Sequence, residues 1–328
     1  MLPVSRRSSM ECSRPALIVG ILCLMVCAAV GQDMCPGRYC GRTALPDNTS
    51  SNCGSCPRGS RALDHLLCKE CTEPLTAYQW LYLLFMVVIV LAFNFARISQ
   101  HHHDEDGQLL LHLSNFLEVS VAAILTLLSY APQGHVKLQT CGVRQVSDWY
   151  PIFYNPSPDF TNTIYCTSEV VYPLYSIFFV FCGYYLLLLV PTRSILVLRV
   201  QKASNLESLY DTMFFLPVWA LCHAVCAGLI YYAHPYLTLV AVFITSASYF
   251  AFTLYKRPFS ESLLLNVNFV ATSTLLVLAS TFGVGSLVMF YERSDLLPLM
   301  AVGIAPPLIF AITKKHAIPV NLTCRART

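Results

Sequence analysis

The sequence predicts an all-α polytopic membrane protein: seven transmembrane helices with a small N-terminal lumenal disulfide-rich segment. Three observations predict it. Charged residues are only 12% of the chain and hydrophobic residues reach 55%, far from soluble composition. Leu, Val, Ile and Phe come in blocks of membrane-crossing length rather than at amphipathic spacing. Six cysteines crowd into a short stretch directly after a leader-like N-terminus. The net charge of +3 is small and scattered, which excludes the basic footprint of a nucleic-acid binder.

The elements follow in order. Arg6, Arg7 and Arg14 flank an apolar run at 16–30, and the small residues Ala29 and Gly31 precede Gln32. This is the pattern of a secretory signal peptide, so residues 1–31 are read as one. Residues 32–77 then lie in the secretory lumen and hold Cys35, Cys40, Cys53, Cys56, Cys68 and Cys71. The two C-x-x-C pairs have zinc spacing, but an oxidising compartment favours disulfides, which stand in for a core too small to hold itself. Sequence does not choose among the pairings. Asn48-Thr49-Ser50 is a glycosylation sequon in the same segment.

Apolar runs follow at 79–96, 109–130, 170–191, 211–232, 236–255, 264–290 and 296–312, within a membrane domain at 78–313. Each suits ~30 Å of hydrocarbon. Pro298, Pro306 and Pro307 predict a kinked or partly re-entrant last run. Predicted cytosolic segments carry Arg97, Arg193, Arg199, Lys202, Lys256, Arg257, Lys314, Lys315, Arg325 and Arg327. Predicted lumenal loops carry Lys137, Arg144 and Arg293. That asymmetry sets the N-terminus lumenal and the tail, 314–328, cytosolic.

The loop at 131–169 is an elaborate polar and aromatic cap. It reads Ser147-Asp148-Trp149-Tyr150, then Tyr154-Asn155-Pro156-Ser157-Pro158-Asp159, then Cys166 and Tyr172-Pro173-Leu174-Tyr175. Cys141 and Cys166 would pair across it, for about 3 kcal/mol in the chain-entropy model. With Cys53-Gly54-Ser55-Cys56, Tyr78-Gln79-Trp80-Leu81-Tyr82, Ala227-Gly228-Leu229-Ile230-Tyr231-Tyr232 and Asp295-Leu296-Leu297-Pro298 in the same order, the chain resembles the Jun-kinase-associated membrane protein family. The resemblance implies a seven-span, non-enzymatic adaptor of the endoplasmic reticulum membrane. It implies the proteasome, a membrane ubiquitin ligase and Jun N-terminal kinase as partners, and a role in disposal of misfolded proteins.

Candidate sites are few. His112, Asn115 and Glu118 fall at i, i+3, i+6, within a third of a helix circumference, and His223 stands between Cys222 and Cys226. These four intramembrane polar residues suit either a hydrogen-bonded seam or a metal or proton site, and the seam is the expected reading. A transporter or intramembrane metal enzyme would use His112, Glu118 and His223; a ligand-sensing receptor would use the cysteine-rich segment and the loop. In the loop, Asp148, Trp149, Tyr150, Tyr154, Asn155, Pro156, Pro158 and Asp159 form the expected recognition surface. Ser147 beside Asp148 lacks a nucleophile elbow, so no catalytic residue and no cofactor is expected. Lys314 and Lys315 followed by Ile318 and Val320 resemble a kinase docking peptide. Lipid is the remaining expected partner; nucleic acid is not.

Overall fold

The computed structural model describes residues 34–47, 49–101, 105–154, 166, 169–200, 204–256 and 267–314. The leader, Asn48, Asn155, Pro156, Pro158, Asp159, Lys315, Ile318 and Val320 lie outside the described residues, as does the side chain of Lys314.

The chain divides into two compact units. The first comprises Met1–Cys71 and Tyr150–Val170; the second comprises Thr72–Trp149 and Val171–Thr328.

The first unit is built on short antiparallel strands. β1 (Cys40–Gly41) pairs with β2 (Gly54–Ser55), and β3 (Ser60–Leu63) pairs with β4 (Leu67–Glu70) in register Ser60 to Glu70. Asp64 and His65 turn the second hairpin at φ 48° and 60°. Two-strand ladders are marginal alone. Here they are stapled by Cys35–Cys53, Cys40–Cys166 and Cys56–Cys68. Cys71 and Cys141 each take part in a disulfide as well. The expected Cys141–Cys166 pairing is therefore corrected: Cys166 bonds Cys40 instead. It sits with Cys35, Tyr39, Cys40 and Val170 in a small buried cluster. Gly41 is required by close packing, since a Cβ there would stand 2.8 Å from the Cys68 sulfur and 3.0 Å from that of Cys56.

The second unit is helical. Its helices are α1 (Ala77–His101), α2 (Glu105–Ser129), α3 (Ile177–Val200), α4 (Ser204–Lys256), α5 (Val267–Tyr291) and α6 (Ala301–Lys314). β5 (Glu73–Pro74) pairs with β6 (Gln139–Thr140) ahead of α1. Among the described residues five helices are long and apolar enough to cross a membrane, and a shorter apolar stretch spans Ser294–Phe310. That last stretch begins as a 3-10 turn, Ser294–Met300, and Pro306 and Pro307 fall within α6.

α4 holds both of the apolar runs expected at 211–232 and 236–255. At 53 residues it would measure about 80 Å if straight, far beyond ~30 Å of hydrocarbon. It is kinked, but not at the expected connector around His234 and Pro235. The non-helical residue is Cys226, at φ −113° and ψ 15°. The arm before the kink runs antiparallel to α1, with Thr212 against Asn94 and His223 against Tyr82. The arm after it runs antiparallel to α5, with Tyr236 against Tyr291 and Phe250 against Phe269. The His234 ring lies 5.4 Å from Phe85, two turns into α1. The chain past the kink therefore re-enters the layer that α1 already occupies.

Candidate functional site

Two clusters of polar side chains lie inside the helical unit, at different levels of the bundle.

The first is a seam across α1, α2, α3 and α4. A carboxylate among apolar helices is costly unless paired and hydrogen-bonded, and Glu118 has three neighbours that do this. Its Oε1 accepts from the Ser114 hydroxyl at 2.5 Å and lies 2.7 Å from the Thr192 hydroxyl. Its Oε2 accepts from Arg193 Nη2 at 3.3 Å. Both side chains of this ion pair are 2% exposed. The pair is imperfect: Arg193 Nε and Nη1 are buried with no hydrogen-bond partner among the described residues. One turn along α2, Asn115 Oδ1 accepts from the Tyr185 hydroxyl at 3.3 Å, and Asn115 Nδ2 donates to Leu91 O at 3.4 Å. Tyr185 in turn accepts from Asn94 Nδ2 at 2.9 Å, and Asn94 Oδ1 accepts from Thr212. At the margin, Arg97 Nε donates to Asp211 Oδ2 at 2.6 Å, with both side chains about 30% exposed.

Of the expected intramembrane set, Asn115 and Glu118 are brought together. His112 is not; it stands at the edge of the stripe, its ring stacked 3.9 Å from Phe95. His223 belongs to the second cluster. Among the described residues no three His, Cys, Asp or Glu side chains are placed to hold a metal ion.

The second cluster surrounds the kink in α4. Pro235 has no N–H, so it cannot close the helical bond to the carbonyl four residues back, Tyr231 O. That carbonyl is satisfied from the side: Tyr78 Oη donates to it at 2.6 Å and His234 Nδ1 at 2.9 Å. Near the kink, the Tyr175 hydroxyl donates to Ala224 O at 3.1 Å. His223 is fully buried between two elements. Its Nε2 donates to Tyr175 O at 2.9 Å, and Tyr82 Oη donates to its Nδ1 at 3.3 Å. Ring packing completes the knot, with Tyr82 edge-on to Tyr231 at 5.2 Å and Trp149 tilted against Tyr231 at 5.1 Å.

The expected recognition loop divides between the two units. Asp148 and Trp149 are buried, at 0% and 4% exposure, which corrects their reading as surface groups. Asp148 Oδ2 accepts the backbone N–H groups of Arg144 (2.9 Å) and Gln145 (3.2 Å), capping the 3-10 turn Val146–Trp149. Trp149 packs into the aromatic knot. Tyr150 is half-buried. Tyr154 meets the edge of Tyr39 at 6.0 Å and lies under Arg38 at 5.9 Å. Ile152 and Phe153 beside it are 62% and 80% exposed.

Sequence reasoning missed Arg193, which it read as a cytosolic charge setting topology. The available signal was Glu118 itself, since a buried carboxylate demands a cation on a facing helix. It also missed that the residues carrying the family resemblance, Tyr78, Tyr82, Trp149, Tyr175 and Tyr231, converge on one kink.

A family model described as JNK1/MAPK8-associated membrane protein matches residues 35–319. The JNK1/MAPK8-associated membrane proteins of Mus musculus and Homo sapiens are each 35% identical over 305 residues, covering 89% of this chain and 96% of theirs. The Caenorhabditis elegans homolog is 33% identical over 259 residues, covering 71% of this chain and 77% of its own. No solved structure matches. With a family model matched over residues 35–319 and relatives 35% identical over 89% of its length, the chain belongs to the JNK1/MAPK8-associated membrane protein family.

Proposed function

We propose that this protein is a non-enzymatic adaptor of the endoplasmic reticulum membrane. It crosses seven times, with α4 supplying two crossings on either side of the Cys226 kink. The cysteine-rich unit faces the lumen and the tail faces the cytosol. On this reading the chain associates with Jun N-terminal kinase, as the names of its relatives say of them, and links the proteasome and a membrane ubiquitin ligase to disposal of misfolded proteins.

The observation that carries the reading is the family match over 35–319. The oxidised first unit supports the lumenal assignment, since disulfides persist in oxidising compartments. The short connections on the proposed cytosolic side, at 102–104 and 201–203, support an adaptor that holds large cytosolic partners through several loops together.

The test is purification of the full chain from stressed and unstressed cells in mild detergent, with quantitative identification of what accompanies it. Kinase, proteasome and ligase subunits enriched over an unrelated multi-span control are expected. Absence of all three would return the chain to the receptor or transporter class. Kinase without the other two would remove the degradation role alone.

A further inference from the structure

α1, α2 and α3 do not pack evenly along their length. They close on one another at the seam, where Asn115 reaches Leu91 O. Toward the start of α1 a cavity of about 180 Å³ opens among them. It is lined by Trp80, Leu84 and Met86 of α1, Ala123 and Thr126 of α2, and Phe178 of α3, with further aliphatic and aromatic neighbours. Among the lining residues only Trp80 and Thr126 carry a polar side-chain atom, and the Thr126 hydroxyl is already donated to Ala122 O at 2.7 Å.

That chemistry narrows the occupant. An ordered water needs two or more polar partners, and a soluble metabolite needs a few placed polar groups to orient it. The lining supplies neither. The cavity runs from Trp80 to Val87 along α1, about 10 Å of helix rise. Its rim continues into the lipid-facing surface: Trp80 is 36% exposed and Leu84 48%, and Ile124 and Leu125 on α2 beside it are exposed as well. A groove that is apolar throughout, and continuous with the bilayer face of membrane-length helices, is reached from the bilayer. A sterol would bring a rigid ring body and a hydroxyl in need of a partner. A flexible hydrocarbon chain needs only the shape.

We propose that this groove is a lipid site that holds one acyl chain of a bilayer phospholipid. The chain fills the gap between α1 and the α2–α3 pair, and seats α1 so that Met86 and Tyr82 stay buried against the aromatic knot.

The experiment uses the full-length protein in phosphatidylcholine nanodiscs doped with a phosphatidylcholine carrying a mid-chain diazirine. Irradiation is followed by peptide mapping of the labelled residues. Labelling concentrated on Met86, Ala123 and Phe178 relative to open lipid-facing positions such as Leu278 is expected. Ala123→Phe, which fills the groove, should cut that local labelling by about tenfold while labelling at Leu278 persists. Thr126→Val, which removes a hydroxyl that serves only its own helix, should leave labelling unchanged; this keeps the test open if the larger side chain prevents folding. Uniform labelling, insensitivity to Ala123→Phe, or loss of labelling in Thr126→Val would each overturn the proposal. Labelling of the groove by a photoactivatable sterol but not by the phospholipid would overturn the acyl-chain assignment.

Discussion

The two polar clusters of the helical unit solve the same problem by different means. At the seam, Glu118 and Arg193 form a buried ion pair in which two of the arginine nitrogens find no partner among the described residues. At the kink, neutral groups satisfy one another: the carbonyl stranded by Pro235 is claimed by Tyr78 and His234, and His223 spends both nitrogens. A buried ion pair is roughly neutral against an apolar replacement but costly to break, because the survivor is left as a bare charge. A neutral aromatic cluster is stabilising through contact area, and loses in proportion to what is removed. The seam therefore specifies which helices meet, and the knot contributes the adhesion.

The largest expected effect tests that distinction. Arg193→Met should destabilise by about 3–5 kcal/mol, because Glu118 is left buried without its cation. Glu118→Leu with Arg193→Met should recover most of this, to within about 1 kcal/mol of the parent. Thermal unfolding of the purified variants in one detergent measures both. A double variant as unstable as the single would mean that the pair itself stabilises, and the contrast with the knot would fail.

The next effect lies in the knot. Trp149→Ala should cost about 3 kcal/mol through lost contact with Tyr82 and Tyr231. Trp149→Phe should cost under about 1.5 kcal/mol, since the indole N–H has no acceptor among the described residues. If phenylalanine is as damaging as alanine, the indole nitrogen matters and the knot is held by polarity after all.

The seam was half legible in the sequence. The spacing of Asn115 and Glu118 put them on one stripe, but periodicity is a property of one helix and says nothing of the helix opposite. Hence Arg193, four turns into α3, read as a boundary charge. The mostly helical membrane fold was legible from block length alone. The interior of α4 was not: His234-Pro235 carries the signal of a helix end, and sideways donors, the Tyr78 hydroxyl and His234 Nδ1, satisfy the carbonyl that the proline strands. The disulfide framework was legible as a state and not as a map. Loop closure favoured Cys141 with Cys166 by proximity in sequence, whereas a buried cluster with Cys35, Tyr39 and Val170 holds Cys40 to Cys166 across 126 residues.

That sideways bond can be measured by a double-mutant cycle. Tyr78→Phe should cost about 1 kcal/mol, the net worth of one buried hydrogen bond. Pro235→Ala restores the N–H that the helix lacks, so the Tyr231 carbonyl regains an in-helix donor. In that background Tyr78→Phe should cost close to nothing, which gives a coupling of about 1 kcal/mol. Additive losses would show that Tyr78 acts through its ring contacts with Tyr231 and Phe290 and not through the orphaned carbonyl.

The smallest effect belongs to the margin of the seam. Arg97 and Asp211 make a shorter ion pair than Glu118 and Arg193, 2.5 Å against 3.3 Å, yet they should matter far less. Their side chains are about 30% exposed, so each keeps part of its hydration when the other is removed, and solvent ions screen what attraction remains. Arg97→Gln should therefore cost under about 1 kcal/mol, and that cost should shrink as salt is raised. The loss from Arg193→Met should be insensitive to salt, because no counter-ion reaches a pair that is 2% exposed. Unfolding curves for both variants at low and high salt compare the two directly. If the two losses respond alike, burial is not what separates them. The seam would then be one cooperative network running from Glu118 through Tyr185 and Asn94 to Thr212 and on to Asp211, its next neighbour in α4, and not an ion pair with a polar margin.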